Sequence, residues 1–339
     1  MCISLRKCPS LEAMSWLVTG GAGYIGAHVV ATMRAAGHEV VVLDDLSTGD
    51  ERRVDGVPFV VGSTLDRELV ARTLRGHRVQ GVLHLAAKKA VEESVANPLT
   101  YYRENVEGLR SLLEVVVSAD VESFVFSSSA AVYGEPRTEL VDEGTSCRPV
   151  NPYGRTKLVG EQLVADVAAA TGLRYASLRY FNVAGCSVPR LADRGEANLV
   201  PMVFRRLSRR QAPMIFGSDY PTPDGTCVRD FVHVQDIASS HVAVAGALAN
   251  GTIGELVANV GRGEGVSVRE MIRIIREVSG TAHVSWSEPE VMPRRAGDPP
   301  RVVASTQLVQ MLLGWEAEFG VQEMIESAWE GWTHLRLGG

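Results

Sequence analysis

Tyr153 and Lys157, four positions apart in NPYGRTKLVGEQ, are side chains of the types that move a proton to and from an alcohol. Their spacing sets both on one face at the start of a helix. A phenol with a pKa of about 10 is a poor base at neutral pH, and a neighbouring ammonium stabilises its phenolate and lowers that value. Taken alone, Tyr-x-x-x-Lys describes two surface side chains. A second run, SFVFSSSAAVYG, gives the pair its weight: it reads as a strand closing in three serines. That places Ser127, Ser128 or Ser129 at the carboxyl edge of a sheet, where open α/β sheets bind their ligands. Ser129 is placed to hydrogen-bond a substrate hydroxyl and help pass its proton to Tyr153.

A third group stands near the start of the chain. Gly20, Gly23 and Gly26 in TGGAGYIGAHVV follow an apolar run and lead into a helical pattern. Glycines in such a turn let the backbone approach a pyrophosphate, and the helix N-terminus favours its charge. Asp44 ends the second apolar run, 24 residues after Gly20. A carboxylate there accepts both hydrogen bonds of an adenosine ribose diol and repels a 2′-phosphate, which selects NAD over NADP.

The elements that must position these groups are legible in the alternation of the chain. SWLVTG, EVVVLD, PFVVG, GVLHLAA, SFVFSSS and YASLRY read as short buried strands, and residues 24–36, 66–75, 98–118 and 153–171 carry helical spacing between them. This predicts an α/β fold: a Rossmann-like, doubly wound parallel sheet with a smaller C-terminal substrate-binding lobe. Residues 15–182 form the dinucleotide-binding domain and 183–339 mainly the second lobe, where PTPDGTCVRD and MPRRAGDPP break the alternation. The segment from about 229 to 262, with the GELVANV strand, is expected to return to the main domain. Residues 1–14 are expected to be a disordered extension, or the result of a start placed ahead of Met14. His84 and His233 lie in apolar runs and read as packed core histidines.

Composition narrows the function. A net charge of −6 argues against a general nucleic-acid binder. Cys2, Cys8, Cys147, Cys186 and Cys227 form neither a CxxC pair nor a cluster with histidine, so no metal site or disulfide framework is indicated and a reducing cytoplasm fits. No apolar run has the length of a membrane span or a signal peptide.

From about Ser15 to Trp332 the sequence resembles the UDP-glucose 4-epimerase family of the extended short-chain dehydrogenases/reductases. GGAGYIG, LDDLSTG, AVEESVANPLTYYRENVEG, FSSSAAVYGE, NPYGRTK, RYFNVAG, IFGSDYPTPDGTCVRDFVHVQD and RRAGDPP carry the resemblance. It implies interconversion of UDP-galactose and UDP-glucose by transient oxidation at C4, with Tyr153 as acid/base assisted by Ser129 and Lys157. It further implies NAD contacts at Gly20, Gly23, Tyr24, Ile25, Gly26, Asp44, Asp45, Ser63, Thr64, Leu85, Ala86, Ala87, Lys89, Asn105, Ser127 and Tyr180, besides Tyr153 and Lys157. Substrate contacts are implied at Lys89, Ser129, Tyr153, Asn182, Asn198, Leu199, Met214, Phe216, Arg229, Arg295, Asp298 and Val302. Guanidinium forks at Arg229 and Arg295 suit a diphosphate.

Two positions depart from the family pattern. Ser63 stands where an Asp usually meets the adenine amino group. Val302, a mid-sized residue, stands where a bulkier one excludes N-acetyl sugars, so activity on UDP-N-acetylglucosamine and UDP-N-acetylgalactosamine is expected. Rival readings are a 4-epimerase of UDP-pentoses or UDP-glucuronate, a 4,6-dehydratase, and a non-catalytic NAD-sensing regulator. Ala130 and Ala131 lack the extra acid and base a dehydratase needs, and a regulator has no use for an intact Tyr/Lys pair. Apolar stripes Leu109, Leu112, Leu113, Val116 and Leu158, Leu163, Val167 suit either the chain's own core or, as the resemblance implies, a homodimer through helices 98–118 and 153–171.

Overall fold

The structure is a computed structural model that describes residues 14–195, 198–295 and 297–337. The extension expected over residues 1–14 therefore lies outside the described residues except at Met14. There the expectation is corrected. Met14 is buried in the same cluster as Trp16, and its carbonyl accepts from Glu39 N at 3.1 Å, which carries the pairing of the first strand one residue back.

The strands are β1 (Ser15–Thr19), β2 (Glu39–Asp44), β3 (Phe59–Val61), β4 (Gly81–His84), β5 (Ser123–Ser129), β6 (Arg174–Tyr180) and β7 (Asn182–Ala184). They continue with β8 (Met214–Phe216), β9 (Val228–His233), β10 (Glu255–Val260), β11 (Gly265–Ser267), β12 (Glu290–Met292) and β13 (Arg301–Val302). The helices are α1 (Tyr24–Ala35), α2 (Arg67–Gly76), α3 (Val91–Ala96), α4 (Pro98–Tyr101), α5 (Gly108–Ser118) and α6 (Pro152–Thr171). After them come α7 (Leu199–Ser208), α8 (Val234–Ala249), α9 (Val268–Val278), α10 (Gln307–Leu313) and α11 (Val321–Leu337). Among the described residues no helix is long and apolar enough to cross a membrane.

Seven strands form one parallel sheet in the order β10-β6-β5-β4-β1-β2-β3. Its strands are runs of Val, Leu and Phe because both faces are covered. Val29, Met33, Ile237, Val244 and Leu248 of α1 and α8 pack on one face, and Val70, Leu112, Val116 and Val164 of α2, α5 and α6 on the other. The register aligns the carboxyl ends: Thr19 lies beside His84, His84 beside Phe126, and Ser129 beside Tyr180.

The smaller sheets use β7, β9, β11 and β13, and β8 with β12. Residues 229–233, within the stretch expected to return, stay in the smaller sheet, because β9 is held there by β7 on one half and by β11 and β13 on the other. The return is made by α8 and β10. The single helix expected over 98–118 is also interrupted: Tyr102–Glu107 is a π-helical turn between α4 and α5. Gly108 lets α5 approach closely, since a Cβ there would lie 2.8 Å from Thr64 Oγ1.

Candidate active site

The turn after β1 needs its glycines. Gly20 has φ +71°, and a Cβ there would lie 2.6 Å from Ala86 N; one at Gly26 would lie 2.1 Å from Gly20 O. β4 braces the turn through Leu85 N to Thr19 O (3.0 Å) and Ala86 N to Thr19 Oγ1 (3.4 Å). Gly23 heads α1 with no side-chain cap, so the first-turn N–H groups and the positive helix end are available to an anion. Tyr24 is buried with its hydroxyl donating to Gly185 O at 2.6 Å, so it offers a ligand its main-chain N–H and not its phenol. Ile25 packs half-buried on the core.

Asp44 sits buried at the end of β2, where Oδ2 accepts from Ala22 N (3.0 Å) and Oδ1 from Leu46 N (2.9 Å). A carboxylate accepts about four hydrogen bonds, so two positions remain for a ribose diol. Burial raises the Asp44 pKa, and a diol donating to it would favour the charged form. The close-packed glycine turn, the uncapped helix and this carboxylate fit a dinucleotide. Asp45 is exposed and folded onto Ser47 N (2.9 Å) and Oγ (2.7 Å). Ser63 Oγ accepts from Leu65 N at 3.2 Å, and Thr64 is buried.

Asn105 is buried on the π-helical turn, a local geometry often found at functional sites. Its amide accepts from Lys88 N (2.8 Å) and donates to Lys88 O (2.9 Å) and Thr156 Oγ1 (3.0 Å). It thereby ties the segment after β4, with half-buried Ala87 and exposed Lys89, to α6.

α6 starts sharply because Asn151 Oδ1 accepts from Gly154 N at 2.8 Å and Pro152 fixes the first turn. A Cβ at Gly154 would lie 2.5 Å from Ala131 O, so only glycine lets the helix press on the turn after β5. Tyr153 is thereby brought to Ser129, which hydrogen-bonds its phenol. Ser129 Oγ also accepts from Ala131 N at 3.2 Å, so it ends the strand and meets the phenol at once. Burial raises the Tyr153 pKa, and the Ser129 hydrogen bond opposes the rise.

Lys157 is buried, 5.0 Å from the Phe126 ring centroid, with Nζ donating to Ser127 O at 2.6 Å. Burial lowers its pKa to about 7, against which the Glu161 charge acts. His84 is held neutral, its pKa lowered to about 3 by burial and the Lys157 charge, with Nδ1 2.7 Å from Thr19 Oγ1. Tyr180 is buried with Oη 2.7 Å from His241 Nε2, and Ser127 also hydrogen-bonds it. His233 is a core residue, capping α8 through Gln235 N and stacked on Phe319.

The expected substrate residues gather on the smaller sheets. Asn182 is exposed at the start of β7, and Asn198 at the head of α7 donates to Asp193 Oδ2 at 2.6 Å. Leu199 packs half-buried beside it, and Met214 and Phe216 open and close β8. Arg295 stacks 3.8 Å above the Phe216 ring. Arg229 Nη2 donates to Asp298 Oδ1 at 2.7 Å, so two residues expected on one ligand are bound to each other. Val302 is 8% exposed and packs with Val132, Phe181 and Ala304.

Sequence reasoning missed Glu161 and Arg179, a buried ion pair directly behind Lys157. The signal was available, since Glu161 lies four residues beyond Lys157 on the same helical face.

A doubly wound parallel sheet with a glycine turn after β1, an acid ending β2 and a Ser/Tyr/Lys group where β5 meets α6 defines a dinucleotide-dependent α/β enzyme. The chain belongs to the NAD dependent epimerase/dehydratase family, which it matches over residues 16–261. It is 44% identical over 307 residues to a UDP-glucose 4-epimerase of Azospirillum brasilense, covering 88% of this chain and 86% of that one. A UDP-glucose-4-epimerase from Stenotrophomonas maltophila with bound NAD and formylated UDP-arabinopyranose superposes with a TM-score of 0.91 at 37% identity, over 96% of this chain and 100% of that one. The UDP-Glc/GlcNAc 4-epimerase of Campylobacter jejuni superposes with a TM-score of 0.83 at 35% identity, over 95% and 100%.

Proposed function

We propose that this chain interconverts UDP-galactose and UDP-glucose by oxidising and re-reducing C4 of the sugar. The observation that carries the reading is the convergence of Ser129, Tyr153 and Lys157 at the carboxyl edge of the sheet, beside the glycine turn. Bound NAD supplies the acceptor and donor of hydride, and the glycine turn and Asp44 are the residues that would hold it. Tyr153 removes the proton of the C4 hydroxyl, Ser129 bridges the two oxygens, and the Lys157 ammonium stabilises the phenolate. For the return step hydride comes back to the opposite face of C4 while Tyr153 gives its proton back to the C4 oxygen. Such a step requires the sugar to turn while the nucleotide stays fixed. Arg229, Arg295 and Phe216 are proposed as that anchor, with Asn182, Asn198, Leu199, Met214 and Asp298 beside them; specificity then rests on a part of the substrate that does not react.

Val302 is packed in a core cluster with Val132 and Phe181, and its modest size supports turnover of the N-acetyl sugars as well. The larger sheet is proposed to hold the cofactor and the smaller sheets the nucleotide. Free thiols at Cys147, Cys186 and Cys227 support a reducing cytoplasm. A homodimer through residues 98–118 and 153–171 is proposed, although Leu109, Leu112, Leu113 and Val116 of the expected stripe are buried in the chain's own core.

Purified protein incubated with UDP-galactose, with UDP-glucose followed through a coupling dehydrogenase, tests the reading. Conversion without added NAD is the expected result, and UDP-N-acetylgalactosamine run in parallel examines Val302. Failure of UDP-galactose to react even with NAD supplied would reject the reading and move the search to a UDP-pentose or UDP-glucuronate.

A further inference from the structure

Three successive residues of β5 each hold one residue of α6, at spacings of four along the helix. Ser129 Oγ meets the Tyr153 phenol, Ser127 O accepts from Lys157 Nζ, and Ser128 Oγ donates to Glu161 Oε1. The first two are the proposed acid/base and its ammonium. The third has no role in the reaction as written, yet it is the most strongly anchored of the three.

Glu161 is 6% exposed and receives a two-pronged grip from Arg179 on β6, Nε to Oε1 at 2.9 Å and Nη2 to Oε2 at 2.7 Å. Arg179 Nη1 donates to Tyr133 Oη at 2.9 Å, and Tyr133 donates to Asn259 Oδ1 at 2.7 Å. Asn259 Nδ2 donates to Val141 O at 2.9 Å, and Val141 N is bound to Val303 O at 2.8 Å, next to Val302. A buried ion pair is weak evidence of stabilisation, because removing two charges from water offsets most of their attraction. Its presence behind Lys157 therefore calls for another reason, and the geometry supplies one.

We propose that Glu161 is a positioning residue that opposes the discharge of Lys157 and holds β5 in register with α6, so that enough of the lysine stays charged near neutrality for Tyr153 to act as a base. Arg179 and Ser128 aim its carboxylate. The inference rests on the epimerase reading above. The groups facing the pair are few among the described residues. On α6 itself stand Tyr153 and Glu161, from β4 comes His84, held neutral, and from β6 comes Arg179, turned to Glu161. Tyr101 of α4 and Tyr180 of β6 border Tyr153. Glu161 is thus the carboxylate that acts on a lysine otherwise discharged by burial.

The test compares purified wild type, Glu161→Gln and Glu161→Asp by two readouts. One is the pH dependence of kcat on UDP-galactose. The other is the near-ultraviolet absorbance of the Tyr153 phenolate, taken as the difference from the matching Tyr153→Phe protein. The amide should raise the pH at which the phenolate forms by about one unit, and lower kcat at pH 7 by about tenfold with little change in KM. Aspartate, which keeps the charge, should restore most of the shift. Should the amide variant fail to fold, Glu161→Gln with Arg179→Gln leaves no unpaired buried cation, and a smaller shift in the same direction is expected, because the Arg179 charge that opposed Glu161 goes with it. A phenolate midpoint unchanged in a folded variant overturns the proposal, whatever happens to kcat. Failure of the wild type to epimerise would instead reject the reading on which it rests.

Discussion

At the scale of single residues the proposed chemistry is assigned to groups whose pKa values burial shifts. Burial raises the pKa of Tyr153 and lowers that of Lys157 to about 7, and the proposed mechanism needs the lysine charged for the phenol to act as a base. Tyr153→Phe should lower kcat by about 10²–10⁴-fold with near-normal KM, since only the proton transfer is lost; steady-state assay at saturating UDP-galactose decides this. Lys157 also leaves a mark on stability. Its folded pKa lies below the ordinary 10.5, so between about pH 7 and 10 the unfolded chain binds the extra proton and stability at this site rises with pH. The urea stability of wild type relative to Lys157→Met should therefore increase from pH 7 to pH 9, by about 2 kcal/mol. A gap that stays constant with pH would show that Lys157 is not discharged. The placement of Tyr153 and Lys157 at the start of α6, of Gly20 after β1 and of Asp44 at the end of β2 was legible in the sequence, because it depends on local spacing and strand ends. The directions of Tyr24 and Tyr180 were not, because Gly185 and His241, which hold them, are distant in the chain.

At the scale of elements, the strands were read well because a sheet covered on both faces writes itself as unbroken apolar runs. The π-helical turn at Tyr102–Glu107 was not, since it follows from Asn105 reaching the backbone of Lys88, a tertiary bond invisible to helical periodicity. Nor was the position of Val228–His233, whose apolar pattern suits either sheet. The element that matters most to the site is α6, and its approach to β5 is set by Gly160. A Cβ there would lie 2.5 Å from Phe126 Cζ and 3.2 Å from Leu109 Cδ2. Phe126 is buried and lies under Lys157, so it has little room to yield. Gly160→Ala should cost about 1–3 kcal/mol in urea unfolding by overpacking, and should lower kcat by displacing the Lys157 end of the helix. Unchanged stability would mean that α6 is less tightly seated than its contacts indicate.

At the scale of the whole molecule, the side of the sheet carrying α2, α5 and α6 leaves apolar surface facing outward. Leu99 is 84% exposed and Val95 63%, with Tyr102 and Val159 also exposed. An open groove of about 1000 Å³ runs between α2, α5 and α6, floored by Leu113, Val117, Leu163 and Val167 and bordered by Arg67, Arg110 and Glu114. Isolated apolar side chains are ordinary on a surface, but several of them on α3, α4, the π-helical turn and α6 support the proposed interaction site. A second copy applying the same segments, 98–118 and 153–171, would cover that site by two-fold symmetry, as a bundle of four helices. The active-site groups lie at the opposite, inward-facing side of α6, where Ser127, Ser128 and Ser129 hold it. Leu99→Glu with Val159→Glu should therefore convert a dimer to a monomer, read by light scattering at micromolar concentration, while each chain retains its fold. Like charges meeting across the two-fold axis would oppose association without touching the core. If wild type and variant give the same mass, those side chains do not form the interface.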